Sequence, residues 1–205
     1  MRILPFHLDD PQDYSCVSYW VLGDNNTPAD RNTLIDTGSA HPGNLDHFLR
    51  AMAAQPKGIG KRAVEQVILT HAHFDHVGGL ARLDELFAPD TLAWLPAGRH
   101  HRPIEDGLPV VVGDQQGTLL HTPGHSEDSL CVLLPESGTL FSGDTLYRIT
   151  DHLGAYPRAY VKTLERLAGL DIQAIYPGHG QPIRSQAGAF IQACLDNVHQ
   201  SFIQD

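Results

Sequence analysis

Two rhythms of apolar residues run along the 205-residue chain. Short apolar runs bounded by turn-forming residues read as strands over Ile3–Leu8, Cys16–Leu22, Thr33–Ile35, Val64–Leu69, Leu92–Leu95, Val110–Val112, Thr118–Leu120, Leu130–Leu134, Leu140–Phe141 and Ala174–Tyr176. The polar segment Asp24-Asn25-Asn26-Thr27-Pro28 marks a turn between the second and third runs. Four stripes follow helical spacing instead. They are Leu45, Phe48, Leu49, Met52; Leu80, Leu83, Leu86, Phe87; Tyr160, Val161, Leu164, Leu167; and Phe190, Ile191, Cys194, Leu195, Val198, Phe202. Each helix has one apolar face to cover, and the strands come before and between the helices. Two sheets packed together with helices outside would bury all of these faces. By pattern alone the class is mixed α and β.

Composition narrows this only a little. A chain of this length supports one sizeable core and is short for two, so residues 1–205 read as one domain. The longest apolar stretches, such as Leu130–Leu134, are far too short to span a bilayer. Asp9 and Asp10 interrupt the N-terminal segment before any signal-peptide core can form, which makes a cytoplasmic protein the expectation. Cys16, Cys131 and Cys194 are odd in number and set among apolar neighbours, the pattern of free buried thiols. A formal charge of −10, with no run of Lys or Arg, speaks against an extended nucleic-acid surface. The departure from ordinary composition is the thirteen histidines, and their placement carries the chemistry.

Three of them fall within six residues, in Leu69-Thr70-His71-Ala72-His73-Phe74-Asp75-His76-Val77-Gly78-Gly79, between a buried-type strand and a helix that starts near Gly79. Alternate residues of an extended segment point the same way, so His71 and His73 can grip one ion. As the chain turns into the helix, Asp75 and His76 swing toward a second position. Imidazole and carboxylate together suit Zn²⁺ and related divalent metals. Three later segments repeat the theme of a polar residue at a strand end beside glycine. These are Pro123-Gly124-His125, Gly143-Asp144-Thr145 and Pro177-Gly178-His179. One such residue is commonly a turn; four such clusters in one chain point to a shared site.

On these residues the chain resembles the metallo-β-lactamase fold superfamily. His71-x-His73-x-Asp75-His76 is similar to that family's signature, and His125, Asp144 and His179 match its later ligands in order and context. The resemblance implies a four-layer αββα sandwich of two mixed sheets flanked by helices. It implies one metal on His71, His73 and His125, a second on Asp75, His76 and His179, and Asp144 bridging both. Asp36, in Leu34-Ile35-Asp36-Thr37-Gly38, matches an aspartate that supports the site without ligating; read on its own it is equally an Asx turn. His7, His41, His47, His100, His101, His121, His152 and His199 match no ligand position, although His41 and His152 fall in loops expected to border the site.

Two divalent ions about 3.5–4 Å apart share a water and lower its pKa, which makes a bridging hydroxide available near neutrality. Zinc is the first expectation, with iron or manganese tolerating the same set. Asp75 is placed to orient that nucleophile and to carry its proton. The expected reaction is cleavage of an ester, lactone or thioester in a small-molecule acyl substrate. Asp144 stands where some β-lactamases of the family carry cysteine. Tyr147, three residues later, resembles a lactonase tyrosine that helps hold the substrate carbonyl, at a position where glyoxalase II enzymes often have phenylalanine; read on its own it is equally an aromatic packed under its loop. His125-Ser126-Glu127-Asp128-Ser129 resembles acyl-thioesterase members. The chain ends one helix past His179, which argues against a typical glutathione-holding glyoxalase II. The rival readings are a phosphodiesterase or ribonuclease of the same fold, a mono-iron persulfide dioxygenase-like oxygenase, and a non-catalytic or flavin-partnered metal protein.

Overall fold

Successive side chains of a strand point to opposite faces, so a strand buried at every residue must be covered on both. β2 (Ser18–Leu22) is buried throughout. Its Tyr19 and Val21 enter one apolar cluster, and Trp20 and Leu22 enter another. The same division recurs in β9 (Leu130–Leu134), where Leu130, Val132 and Leu134 face one cluster while Cys131 and Leu133 face a third. Three cores stacked in this way require four layers.

The computed structural model describes residues 1–7, 12–24, 27–56, 60–146 and 154–204. Its first sheet runs in the order β1 (Arg2–Phe6), β2, β3 (Thr33–Ile35), β4 (Gln66–Ile68), β5 (Asp90–Ala93), β6 (His101–Pro103). The pairings are antiparallel as far as β3 and parallel beyond it. The second sheet runs β12 (Ala174–Pro177), β10 (Thr139–Gly143), β9, β8 (Gln115–His121), β7 (Leu108–Val112), antiparallel except for the β10–β12 pair. The sheets meet through Tyr19, Val21, Ile35, Ile68 and Leu92 on one side and Val112, Leu119, Val132, Leu134 and Phe141 on the other. Phe48 and Met52 of α1 (Pro42–Ala53) and Leu80 and Leu83 of α3 (Leu80–Phe87) cover the outer face of the first sheet. The second sheet is covered by Tyr160, Leu164 and Leu167 of α4 (Arg158–Ala168) and by Ile191, Cys194 and Val198 of α5 (Ala187–His199). This is the expected αββα sandwich of two mixed sheets.

Several boundaries differ from the apolar pattern. β4 is shorter than Val64–Leu69, although Val64 and Leu69 remain buried at its ends. β5 starts and stops two residues earlier than Leu92–Leu95, leaving Leu95 exposed. β1 stops at Phe6, and Leu8, Asn25 and Asn26 lie outside the described residues. The last helical stripe does not reach Phe202. α5 ends at His199, and an exposed Phe202 opens β13 (Phe202–Gln204), which pairs in parallel with β11 (Ala155–Pro157). Leu86 also faces outward from α3. The three cysteines are free and buried, and among the described residues no helix is long and apolar enough to cross a membrane.

Strand direction sets where the functional loops emerge. β3 and β4 run the same way, as do β8, β10 and β12. Asp36 follows β3, residues 70–76 follow β4, His125 follows β8, Asp144 follows β10 and His179 follows β12.

Candidate metal centre

The loop after β4 closes into a single helical turn, α2 (Phe74–Val77), before α3 begins. That turn rotates Asp75 and His76 inward and buries both, while His71 and His73 stay on extended backbone. His71 Nε2 and His125 Nε2 approach His73 Nδ1 at 2.9 and 3.1 Å. A second group forms beside it. His179 Nε2 lies 3.1 Å from Asp75 Oδ2, and His76 Nε2 lies 3.6 Å from the same oxygen. Asp144 reaches both groups, with Oδ1 3.4 Å from His76 Nε2 and Oδ2 3.6 and 3.5 Å from His125 and His179 Nε2. Within each of the sets His71/His73/His125, His71/His76/Asp144 and Asp75/His76/His179, the donor atoms lie within 4.8 Å of one another. All seven residues singled out in the sequence are thus brought together, in two triads joined by Asp144.

Asp36 lies behind this cluster, 2% exposed, on left-handed backbone with φ 57°. Its carboxylate accepts hydrogen bonds from Thr70 N and Thr70 Oγ1, both at 2.8 Å, and contacts His76 Nδ1 at 2.8 Å. The Asp36 carboxylate accepts from His76 Nδ1, which turns Nε2 of that ring toward Asp75 and Asp144. Thr70 Oγ1, its proton given to Asp36, accepts from His71 Nδ1 at 3.1 Å and fixes that ring in the same sense. Thr70 had no mark in the sequence beyond its place before His71. The structure also sets Cys16 within 4.8 Å of Asp36 and His76 donors, from a strand approach whose apolar context signalled only burial.

The electrostatics are those of a site built for cations. Burial, together with His76, pushes the His71 pKa down to about 2. Burial also lowers His125 and His179. For His76 burial opposes the charge, but Asp36, Cys16 and Asp144 together outweigh it and raise the pKa. Burial likewise opposes ionisation of Asp144, yet the nearby His76 and His179 imidazoles hold its carboxyl below the ordinary range. His76 Nε2 and Asp144 Oδ1 are both fully buried without a hydrogen-bond partner, a costly state that a coordinated cation relieves. Converging imidazoles and carboxylates fit divalent transition metals.

A family model described as the metallo-beta-lactamase superfamily matches residues 13–93 and 92–179. The chain belongs to that superfamily. Among its relatives, the lactamase-like protein nscB of Neosartorya fischeri is 32% identical over 164 residues, covering 73% of this chain and 45% of that protein. An atrochrysone carboxyl ACP thioesterase of Aspergillus fumigatus is 28% identical over 183 residues, covering 83% of this chain and 42% of the relative. The chain therefore spans less than half the length of these two relatives. Among solved structures, TTHA1623 in a di-iron-bound form superposes with a TM-score of 0.63 at 28% identity, covering 88% of this chain and 94% of that one. A superfamily named for metal-dependent members accords with the His/Asp cluster described above.

Two expected residues, Tyr147 and His152, lie outside the described residues. His41 caps α1, its Nδ1 accepting from Gly43 N. His121 stacks on Trp94 with ring centroids 3.7 Å apart.

Proposed function

We propose that this chain is a metal-dependent hydrolase that cleaves an acyl bond, a thioester before an ester or lactone, in a small-molecule acyl substrate. One divalent ion would sit on His71, His73 and His125, a second on Asp75, His76 and His179, with Asp144 shared. The observation that carries the reading is the pair of triads, one largely buried and the other open at His73, joined by a buried carboxylate with an unpartnered oxygen. Zinc fits the ligand types, and the di-iron form of a 28% identical relative keeps iron open as the native metal. Bound there, such ions lower the pKa of a water and polarise a carbonyl oxygen.

The chain's own groups do the rest. Asp75, on the α2 turn, contacts His179 through Oδ2 and is placed to orient a water and to carry its proton toward the leaving group. Asp36 and Thr70 keep the imidazoles of His76 and His71 in the tautomer that faces the site. The thioester preference is supported by the His125-Ser126-Glu127-Asp128-Ser129 segment and by the relative named as an ACP thioesterase. The formal charge of −10 disfavours a polyanionic substrate.

The test is a substrate panel on zinc- or iron-loaded protein, containing an acyl thioester of N-acetylcysteamine, an acyl-homoserine lactone and a bis-aryl phosphodiester. The expected result is hydrolysis of the thioester and none of the phosphodiester. Turnover of the phosphodiester alone would contradict the proposal.

A further inference from the structure

Two large aromatic side chains stand in the open at the edge of the His/Asp cluster. Tyr14 is 51% exposed and Phe74 67%. The Tyr14 ring stacks on His179, centroids 4.9 Å apart and planes 24° apart. Phe74, between His73 and Asp75 in the chain, lies 6.4 Å from the Tyr14 ring and tilts 42° from it. An exposed aromatic on a loosely held segment would need no explanation, but the residues on either side of Tyr14 are tied down. Asp13 accepts from Ser39 Oγ at 2.7 Å and from Asn44 Nδ2 at 2.6 Å. Ser39 N donates to Ser15 Oγ at 3.0 Å. Cys16 N donates to the Asp75 carbonyl at 3.2 Å, and Val17 N donates to the Gly178 carbonyl at 2.7 Å. Tyr14 is therefore fixed relative to the two loops that present Asp75 and His179.

We propose that Tyr14 and Phe74 form a rigid aromatic platform that selects substrates whose acyl group is flat and unsaturated, such as an aryl carbonyl. The inference rests on the acyl-hydrolase reading and adds the class of acyl group. Aromatic faces favour offset stacking with a planar group, whereas a saturated ring of equal size buries similar apolar area without stacking. A platform ordered in advance loses little entropy when the substrate arrives. The Tyr14 ring lies against His179, so a ring conjugated to a carbonyl held at the His/Asp cluster has the platform beside it.

The experiment measures kcat/KM for benzoyl and cyclohexanecarbonyl thioesters of N-acetylcysteamine on metal-loaded wild type, Tyr14→Phe and Tyr14→Leu. The ratio of the two substrates within each protein cancels any change in metal occupancy, and comparing that ratio between proteins cancels the substrates' intrinsic reactivity. The benzoyl-to-cyclohexanecarbonyl ratio should fall roughly five- to tenfold in Tyr14→Leu, mostly through KM, and persist in Tyr14→Phe, which keeps the ring. An unchanged ratio in Tyr14→Leu overturns the platform, as does an equal fall in both variants. If wild type cleaves neither thioester, the acyl-hydrolase reading fails separately. Calorimetry with benzoate and cyclohexanecarboxylate then decides the platform: a benzoate preference lost in Tyr14→Leu supports it, and no preference in wild type overturns it.

Discussion

Asp36 concentrates the logic of the site in one side chain. It occupies left-handed backbone that aspartate tolerates better than most residues, and its carboxylate serves Thr70 twice and His76 once. Replacement by asparagine keeps the volume but offers an amide N–H where His76 Nδ1 needs an acceptor, so the ring loses the partner that turns Nε2 toward the site. Asp36→Asn should weaken metal binding by about 10–100-fold, read by calorimetric titration of metal-stripped protein, with the fold retained. Affinity equal to wild type would show that the carboxylate does not orient the ring. At this scale the sequence was only partly readable. The seven clustered residues stood out because His and Asp recur beside glycine at strand ends. Asp36 looked equally like an Asx turn, and Thr70 and Tyr14 carried no pattern, because their importance comes from contacts between segments far apart in the chain.

Loops and strand ends show why small residues flank the site. Gly178 follows β12, and a Cβ there would press on Asp144 Oδ1 and lie 2.7 Å from His76 Cε1. The glycine lets the His179 loop approach the two residues that link the triads. Gly178→Ala should therefore cost about 1–3 kcal/mol of stability by overpacking and lower metal occupancy as well, measured by denaturant unfolding and elemental analysis. Wild-type values for both would mean the loop shifts freely and its close approach has no role. Elements with a strong apolar signal, such as β2, β9, α1 and α4, were recoverable from the sequence. β6, β11 and β13 were not. β6 is His101-Arg102-Pro103, and Phe202 of β13 points into solvent, so in these strands backbone pairing rather than an apolar face makes the element. The helical stripe that seemed to run through Phe202 broke for the same reason.

Across the whole molecule, strands buried on both faces made a layered sandwich readable, while the number and order of layers came from the family resemblance. The sandwich holds Asp36, Asp75 and Asp144, each no more than 5% exposed, at one cluster of strand ends. His76 compensates part of this buried charge, and cations on the proposed ligand set would compensate the rest, which couples metal binding to folding. The most direct measurement is therefore the metal content of chelator-free protein by elemental analysis, taken with its melting temperature before and after metal removal. Two divalent ions per chain are expected, with a melting temperature that falls on chelation and returns with added metal, and retention of about one ion in His179→Ala, because His71, His73 and His125 remain. Protein that binds no metal, and melts identically before and after chelation, would contradict the two-metal site.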